Sequence, residues 1–193
     1  MSVLSNDNSA WRAFEQSELT HSAAHYLMTI MHLRKDNGYA RVTDVAEHLD
    51  ITRAAASKRI SMLKERNYIV EDSKRMLSLT EEGMALARTV ERHFLVMADF
   101  FEDILNIPKG VALADACKLE HLLSPESAHA IFRLGRVLKN DKTLLDRLKG
   151  EVRDYQSDCN GEGECEMCAE YGGCIAEDAA LMAQFSADAK SSA

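Results

Sequence analysis

The amino-acid sequence predicts a mainly α-helical protein with one β-hairpin and a tail of different composition. Three observations carry this expectation. Apolar residues recur at three- and four-residue spacing over most of the chain, the period of a helix with one buried face. Only two prolines, Pro108 and Pro125, occur among the 193 residues, and glycines are few before the tail, so little interrupts helices. One stretch, "YIVEDSKRMLSLT", reads instead as two short strands joined by a polar turn at Glu71–Arg75.

Residues 1–18 are polar, with Trp11 and Phe14 as their sizeable anchors, and read as a loose arm or a short docking helix. From Thr20 the pattern turns helical, with Ala24, Leu27, Met28, Met31 and His32 on the inward face. Asn37-Gly38 breaks that helix. A short helix, "TDVAEHLD", follows with Thr43 as N-cap and Val45, Ala46 and Leu49 inward. After a tight turn at Asp50-Ile51-Thr52 comes "RAAASKRISMLKERN", with Ala56, Ile60 and Leu63 inward, and then the hairpin. Helix, turn, helix and hairpin make a winged helix-turn-helix. Thr80-Glu81-Glu82 next cap a long helix running to about Leu105, ended by Pro108-Lys109-Gly110. Further helices are expected over Ala112–Leu123, from Ser124-Pro125 onward, and over "DKTLLDRLKGEVRDYQ". The expected organisation is an arm and DNA-binding domain over 1–78, a helical domain over 79–150 and a Cys-rich acidic tail over 151–193.

Apolar residues make up 46% of the chain, enough for a real core. No apolar run approaches the roughly 20 residues of a membrane span, and no basic-then-apolar leader opens the sequence, so a cytoplasmic protein without membrane association is expected. In that reducing compartment clustered cysteines point to metal or cluster chemistry more than to disulfides. The net charge of −8 argues against nucleic acid until its distribution is considered. Between Glu151 and Asp178 nine acids face one base, whereas between Arg41 and Arg75 eight bases face six acids. The acid sits in the tail and the helix-turn-helix is mildly basic. Arg53, Ser57, Lys58 and Arg59 lie on the first turns of the helix that would enter the major groove; Lys64 follows, and Lys74 and Arg75 sit at the hairpin tip. A solvated basic face would look the same in sequence; the hairpin that follows favours double-stranded DNA. Nothing resembles a catalytic dyad or a phosphate loop, so no enzyme is expected.

"ACKLEHLLS" (116–124) places Cys117, Glu120 and His121 three and four positions apart, on one face of a helix. That spacing alone fits either a metal point or a core thiol beside a solvated Glu-His pair. Here a resemblance enters. "GYARVTDVAEHL" (38–49), "LSLTEEG" (77–83), "ERHFL" (91–95) and "CKLEHLLS" (117–124) resemble, in order and separation, blocks of the metal-dependent repressors typified by the diphtheria toxin repressor and the manganese transport regulator. The resemblance spans about Thr20 to Leu138. It implies a winged-helix domain and a helical domain that forms a homodimer and holds a divalent metal. Carried over, the primary ligands fall on Cys117, Glu120, His121 and, where relatives have methionine or aspartate, His25. Met28 stands where manganese-type members carry a second carboxylate. The ancillary site keeps only His93, with Met97 and Leu113 at its other positions, so one strong site is expected, with His93 a secondary candidate. His21, four positions before His25, is another. Sulfur and imidazole donors suit Fe²⁺, Zn²⁺, Co²⁺ or Ni²⁺, whereas carboxylate-rich sets suit Mn²⁺, and among these divalent transition metals the resemblance to iron-responsive members favours Fe²⁺. The resemblance also turns Phe94, Phe100, Phe101 and Ile104, otherwise core, into a dimer seam.

The resemblance does not reach the tail. Cys159, Cys165, Cys168 and Cys174, separated by five, two and five residues, supply ligands for an iron–sulfur cluster or a zinc ion. Three functions follow: a metal-dependent, iron-responsive repressor of metal uptake; an iron–sulfur iron and redox sensor on the same scaffold; or a redox protein that binds no DNA. The basic helix and hairpin speak against the third.

Overall fold

A computed structural model of the chain describes residues 20–157, with side chains to Val152. Trp11, Phe14 and the cysteines Cys159, Cys165, Cys168 and Cys174 lie outside the described residues. The described part is mainly helical: α1 (His21–Asn37), α2 (Val42–His48), α3 (Arg53–Glu65), β1 (Ile69–Glu71), β2 (Leu77–Leu79), α4 (Glu81–Asp99), α5 (Lys109–Leu119), α6 (Pro125–Asn140) and α7 (Lys142–Ser157). It forms two compact units that divide between Val137 and Leu138. The first holds the winged helix-turn-helix and the helices through most of α6; the second contains α7, with Leu144, Leu145 and Leu148 half-buried. Among the described residues no helix is long and apolar enough to cross a membrane.

Local chemistry sets most boundaries. The Thr20 hydroxyl accepts from Ala23 N–H at 3.2 Å and starts α1, while Gly38 ends it at φ 80°, a left-handed conformation that favours glycine. Thr52 caps α3 in the same way. Thr43 does not cap α2. The Asp44 carboxylate reaches back to Arg41 N–H at 2.8 Å, so the helix begins at Val42 and Thr43 sits inside its first turn. The two strands pair antiparallel with Ile69 opposite Leu79 and Glu71 opposite Leu77. Leu77 N–H donates to Ala40 O at 2.8 Å and ties the hairpin to the start of the helix-turn-helix.

Leu27 and Ile30 from α1, Val45 from α2, Ile60 from α3 and Ile69 and Leu77 from the hairpin meet in one core, each 2% exposed or less. Burial of each such side chain contributes about 1.5–3 kcal/mol, which makes α1 integral to the DNA-binding half. His32 is not part of this core: its Nε2 lies 2.7 Å from Glu91 Oε1 on α4. The long helix α4 continues as a π-helical turn over Phe100–Ile104, closed by Leu105 N–H donating to Phe100 O at 3.1 Å. The next helix runs Lys109–Leu119, starting and ending earlier than the expected Ala112–Leu123. Pro108 lacks the N–H that a helix start leaves unpaired, so it opens α5 without closing the preceding unit. Glu120 still has right-handed helical angles (φ −51°, ψ −34°), and the one-face relation of Cys117, Glu120 and His121 survives the earlier end.

Met97, Ala98 and Ala116 form a second small core packed by Phe94 and Phe101, and Ile104 is 3% exposed, so these residues face inward. Leu95, Phe132, Leu134 and Val137 are the apolar side chains left about half exposed on α4 and α6.

At Gly83 a Cβ would run into the Tyr68 carbonyl, because the α4 start is held close to β1: Thr80 Oγ1 donates to Asn67 O at 2.7 Å and accepts from Gly83 N–H at 3.0 Å. Gly83→Ala should cost about 1–3 kcal/mol of stability. Gly110→Ala, where the added methyl meets open space, should be neutral or slightly stabilising. Thermal unfolding of the two variants side by side checks this.

Candidate metal centre and nucleic-acid face

The candidate centre lies between two helices distant in sequence. From α1 come His21 and His25, one turn apart; from the end of α5 come Cys117 and Glu120, while the expected ligand His121 lies beside them and outside the group of ligand atoms that meet. His25 Nε2 is 3.1 Å from Cys117 Sγ and 3.6 Å from Glu120 Oε1. Potential ligand atoms of His21, His25, Cys117 and Glu120 all fall within 4.8 Å of one another. The His21 ring is 4.4 Å from that of His25 and 5.2 Å from that of His121.

Burial makes this cluster unfavourable as it stands. Glu120 is 1% exposed, and its Oε1 and the Nδ1 of His121 are buried with no hydrogen-bond partner. Burial pushes the Glu120 carboxyl up to about 7. The Cys117 thiol is pushed up by burial and then by the neighbouring Glu120. His25 is pushed down by burial, then by His21 and His121; His121 is pushed down by burial, then by His21. Glu120 also stands at the C-terminal end of α5, where the helix dipole opposes a second negative charge. Neutral imidazoles, a thiol and a desolvated carboxyl with an orphaned oxygen fit a divalent transition cation, which satisfies all of these groups together.

His93, on α4, is buried and its Nδ1 donates to the Glu120 carbonyl at 3.0 Å. It therefore braces the backbone of a candidate ligand and does not join the four atoms above. The sequence held no sign of this bond, since the spacing of two residues on different helices says nothing about a side-chain-to-carbonyl contact. His21, by contrast, does join the cluster, as its position one helical turn before His25 allowed.

The basic residues divide over two flanks of α3. Arg53 and Ser57 line a cleft of about 350 Å³ with Arg41, Thr43, Glu71 and Arg75. Lys58 and Arg59 line another of about 750 Å³ that runs to Tyr26, His21 and His25 on α1. Arg59 is half-buried on that side, while Ser57 and Lys58 stay exposed on the ridge between the clefts. Lys64 lies 2.6 Å from Glu71 Oε2 and Arg75 3.4 Å from Glu71 Oε1, so both are partly neutralised; Lys74 is exposed at the tip. Arg41 is the basic residue of the cleft that the sequence reading did not single out.

Fold and cluster together define a class: a winged helix-turn-helix whose first helix shares a metal-ligand cluster with the helical region that follows. Comparison with known proteins gives the family. Residues 18–77 match the iron dependent repressor N-terminal DNA binding domain, and residues 80–144 match the iron dependent repressor metal binding and dimerisation domain. The chain belongs to the iron-dependent repressor family, which consists of DNA-binding regulators and not enzymes. Among solved structures, the manganese regulator SloR is 22% identical with a TM-score of 0.53, over 57% of this chain and 52% of that one. IdeR of T. acidophilum is 21% identical with a TM-score of 0.51, over 60% and 54%. The metal-dependent transcriptional regulator MtsR is 23% identical with a TM-score of 0.52, over 62% and 54%. At these identities the likeness is one of fold, and the chain spans about half the length of each.

Two pH effects follow from Glu120. Metal affinity should rise with pH through the region around 7, because Glu120 and Cys117 must lose protons to bind. In chelator-treated protein the folded state holds the Glu120 proton up to about 7, whereas the unfolded chain releases it near 4.5. The unfolded state then binds fewer protons, so stability should fall as pH rises between those values, by about 3 kcal/mol in total. Glu120→Gln should remove that slope and raise the Tm above pH 7. Unfolding curves of both proteins across pH check it; equal slopes would contradict it.

Proposed function

We propose that this protein is a metal-dependent, DNA-binding transcriptional repressor that acts as a homodimer and responds to iron, restraining metal-uptake genes when iron is replete. Residues 1–78 serve as the DNA-binding half and 79–150 as the metal-binding and dimerisation half. The observation that carries the reading is the buried, unpartnered carboxylate oxygen of Glu120 beside His25 and Cys117, at the contact of α1 with α5.

His25, Cys117, Glu120 and His121 would hold the cation, and its chemical contribution is positive charge that compensates a thiolate and a carboxylate. The rest is done by the chain. His25 lies on the helix whose Leu27 and Ile30 enter the DNA-binding core, so fastening α1 to α5 also fixes the platform under α3. Ser57 and Lys58 on the exposed ridge of α3 would read the major groove; Arg53, Arg59, Lys64, Lys74 and Arg75 would support the contact on either flank and at the wing. The half-exposed Leu95, Phe132, Leu134 and Val137 would supply apolar surface to a second copy. Sulfur and imidazole donors, with Met28 and Met97 where carboxylates would suit manganese, favour Fe²⁺, Co²⁺, Ni²⁺ or Zn²⁺ over Mn²⁺, and membership of the iron-dependent repressor family supports Fe²⁺ among them. Action in the cytoplasm follows from this role.

The spacing of Cys159, Cys165, Cys168 and Cys174 supports a second reading, in which an iron–sulfur cluster or zinc on the tail supplies the signal.

Anaerobic fluorescence anisotropy tests both, using duplexes selected from a randomised pool with Fe²⁺ present. Chelation, or Cys117→Ala, should weaken binding about 5- to 150-fold, the usual size of an allosteric coupling. Binding that survives chelation and Cys117→Ala but is lost with Cys159→Ala/Cys168→Ala, together with acid-labile sulfide in the protein, would favour the cluster reading.

A further inference from the structure

The family position for a second ligand on the first helix holds Met28 here, yet α1 places two imidazoles at the cluster, His21 and His25. His21 and His25 are separated by four positions, so both project from one face of α1. The His21 ring lies against His25 on one side and His121 on the other, at 4.4 and 5.2 Å between centroids. It also offers a ring nitrogen within 4.8 Å of the Cys117 sulfur and the buried, orphaned Glu120 carboxylate. Two imidazoles beside one thiol and one carboxyl, with the His121 ring next to them and no hydrogen bond among the rings, would otherwise be an unrewarded arrangement, because neutral rings attract each other weakly and charged ones repel.

We propose that His21 is itself a ligand of the centre, so that α1 contributes a His-x-x-x-His pair. This rests on the metal reading above and deepens it. The donors brought together become two imidazole nitrogens, one sulfur and one carboxylate, with His121 beside them. That set selects a borderline transition ion (Fe²⁺, Co²⁺, Ni²⁺ or Zn²⁺) and discriminates against Mn²⁺, which favours oxygen-rich sites. His21 thereby determines specificity. It is also the first residue of α1 and is exposed on the side where the 750 Å³ cleft separates α1 from Lys58 and Arg59 of α3. The ion has an entry path there, and His21 is the ligand it meets first. Binding also pins the first turn of α1, which the Thr20 hydroxyl caps.

The test uses the full chain with Co²⁺ as a spectroscopic probe, in the wild type, His21→Ala, His21→Asp and Cys117→Ala, together with competition between Zn²⁺ and Mn²⁺. In His21→Ala the part of the thiolate-to-cobalt charge-transfer band that Cys117→Ala removes should persist while the ligand-field bands change. The Zn²⁺-over-Mn²⁺ preference should fall by about 10- to 100-fold, a typical cost of disturbing a metal site. His21→Asp, which restores an oxygen donor at an exposed position, should keep Co²⁺ binding and narrow the preference. Ligand-field bands and preference identical to wild type in both His21 variants would overturn the assignment of His21 alone. A wild-type spectrum without any thiolate band would overturn the metal reading beneath it as well.

Discussion

The rest of the site depends on one costly constraint, the burial of the Glu120 carboxyl at the end of α5. A carboxyl that is 1% exposed, with one oxygen unpartnered and the negative pole of a helix behind it, ionises only at a cost in stability, and is pushed up to about 7. The groups within reach are a thiol and imidazoles, none of which brings a fixed positive charge. Everything around Glu120 is arranged to keep it in that position: Glu120 N–H closes the last turn of α5 onto Ala116 O at 2.9 Å, and His93 holds the Glu120 carbonyl at 3.0 Å. The cluster is thus preorganised by backbone bonds, and its uncompensated charge is what would give it affinity for a cation.

The second consequence is mechanical. Among the candidate ligands, His25 comes from a helix whose opposite face is core in the DNA-binding half, while Cys117 and Glu120 come from a helix packed on α4. Two further ties bind α1 to its surroundings: Arg34 Nη1 donates to Leu77 O of the hairpin at 3.1 Å, and His32 pairs with Glu91 at 2.7 Å. Both are partly exposed and therefore weak singly. An ion held by the proposed ligands at the contact of α1 with α5 would add a stronger and reversible tie.

Much of this was legible in the sequence where the deciding chemistry is local. Thr52 and Thr80 announce helix starts, Asn37-Gly38 a helix end, and the alternation around Glu71–Arg75 a hairpin, because each depends on neighbours within four residues. Thr43 misled because Asp44, one position on, competes for the same role. Cys117, Glu120 and His121 were readable as one face, and His25 as their partner only by likeness to relatives. Long-range pairings were not readable. His32 has the spacing of a core residue but finds Glu91, whereas Phe94, Phe101 and Ile104 face inward as their apolar spacing alone allows. Which basic side chains of α3 face solvent depends on α1 and the wing beside it, so Arg59 and Lys64 looked as free as Lys58.

The central claim is that the centre joins α1 to α5, and amide hydrogen exchange tests it most directly. With Fe²⁺ added anaerobically, amides over Ser22–Leu27 and over Cys117–His121 should both slow, and a single His25→Ala substitution should abolish the slowing in both segments. Protection confined to Cys117–His121, and unaffected by His25→Ala, would mean that the ion sits on α5 alone and would contradict the account.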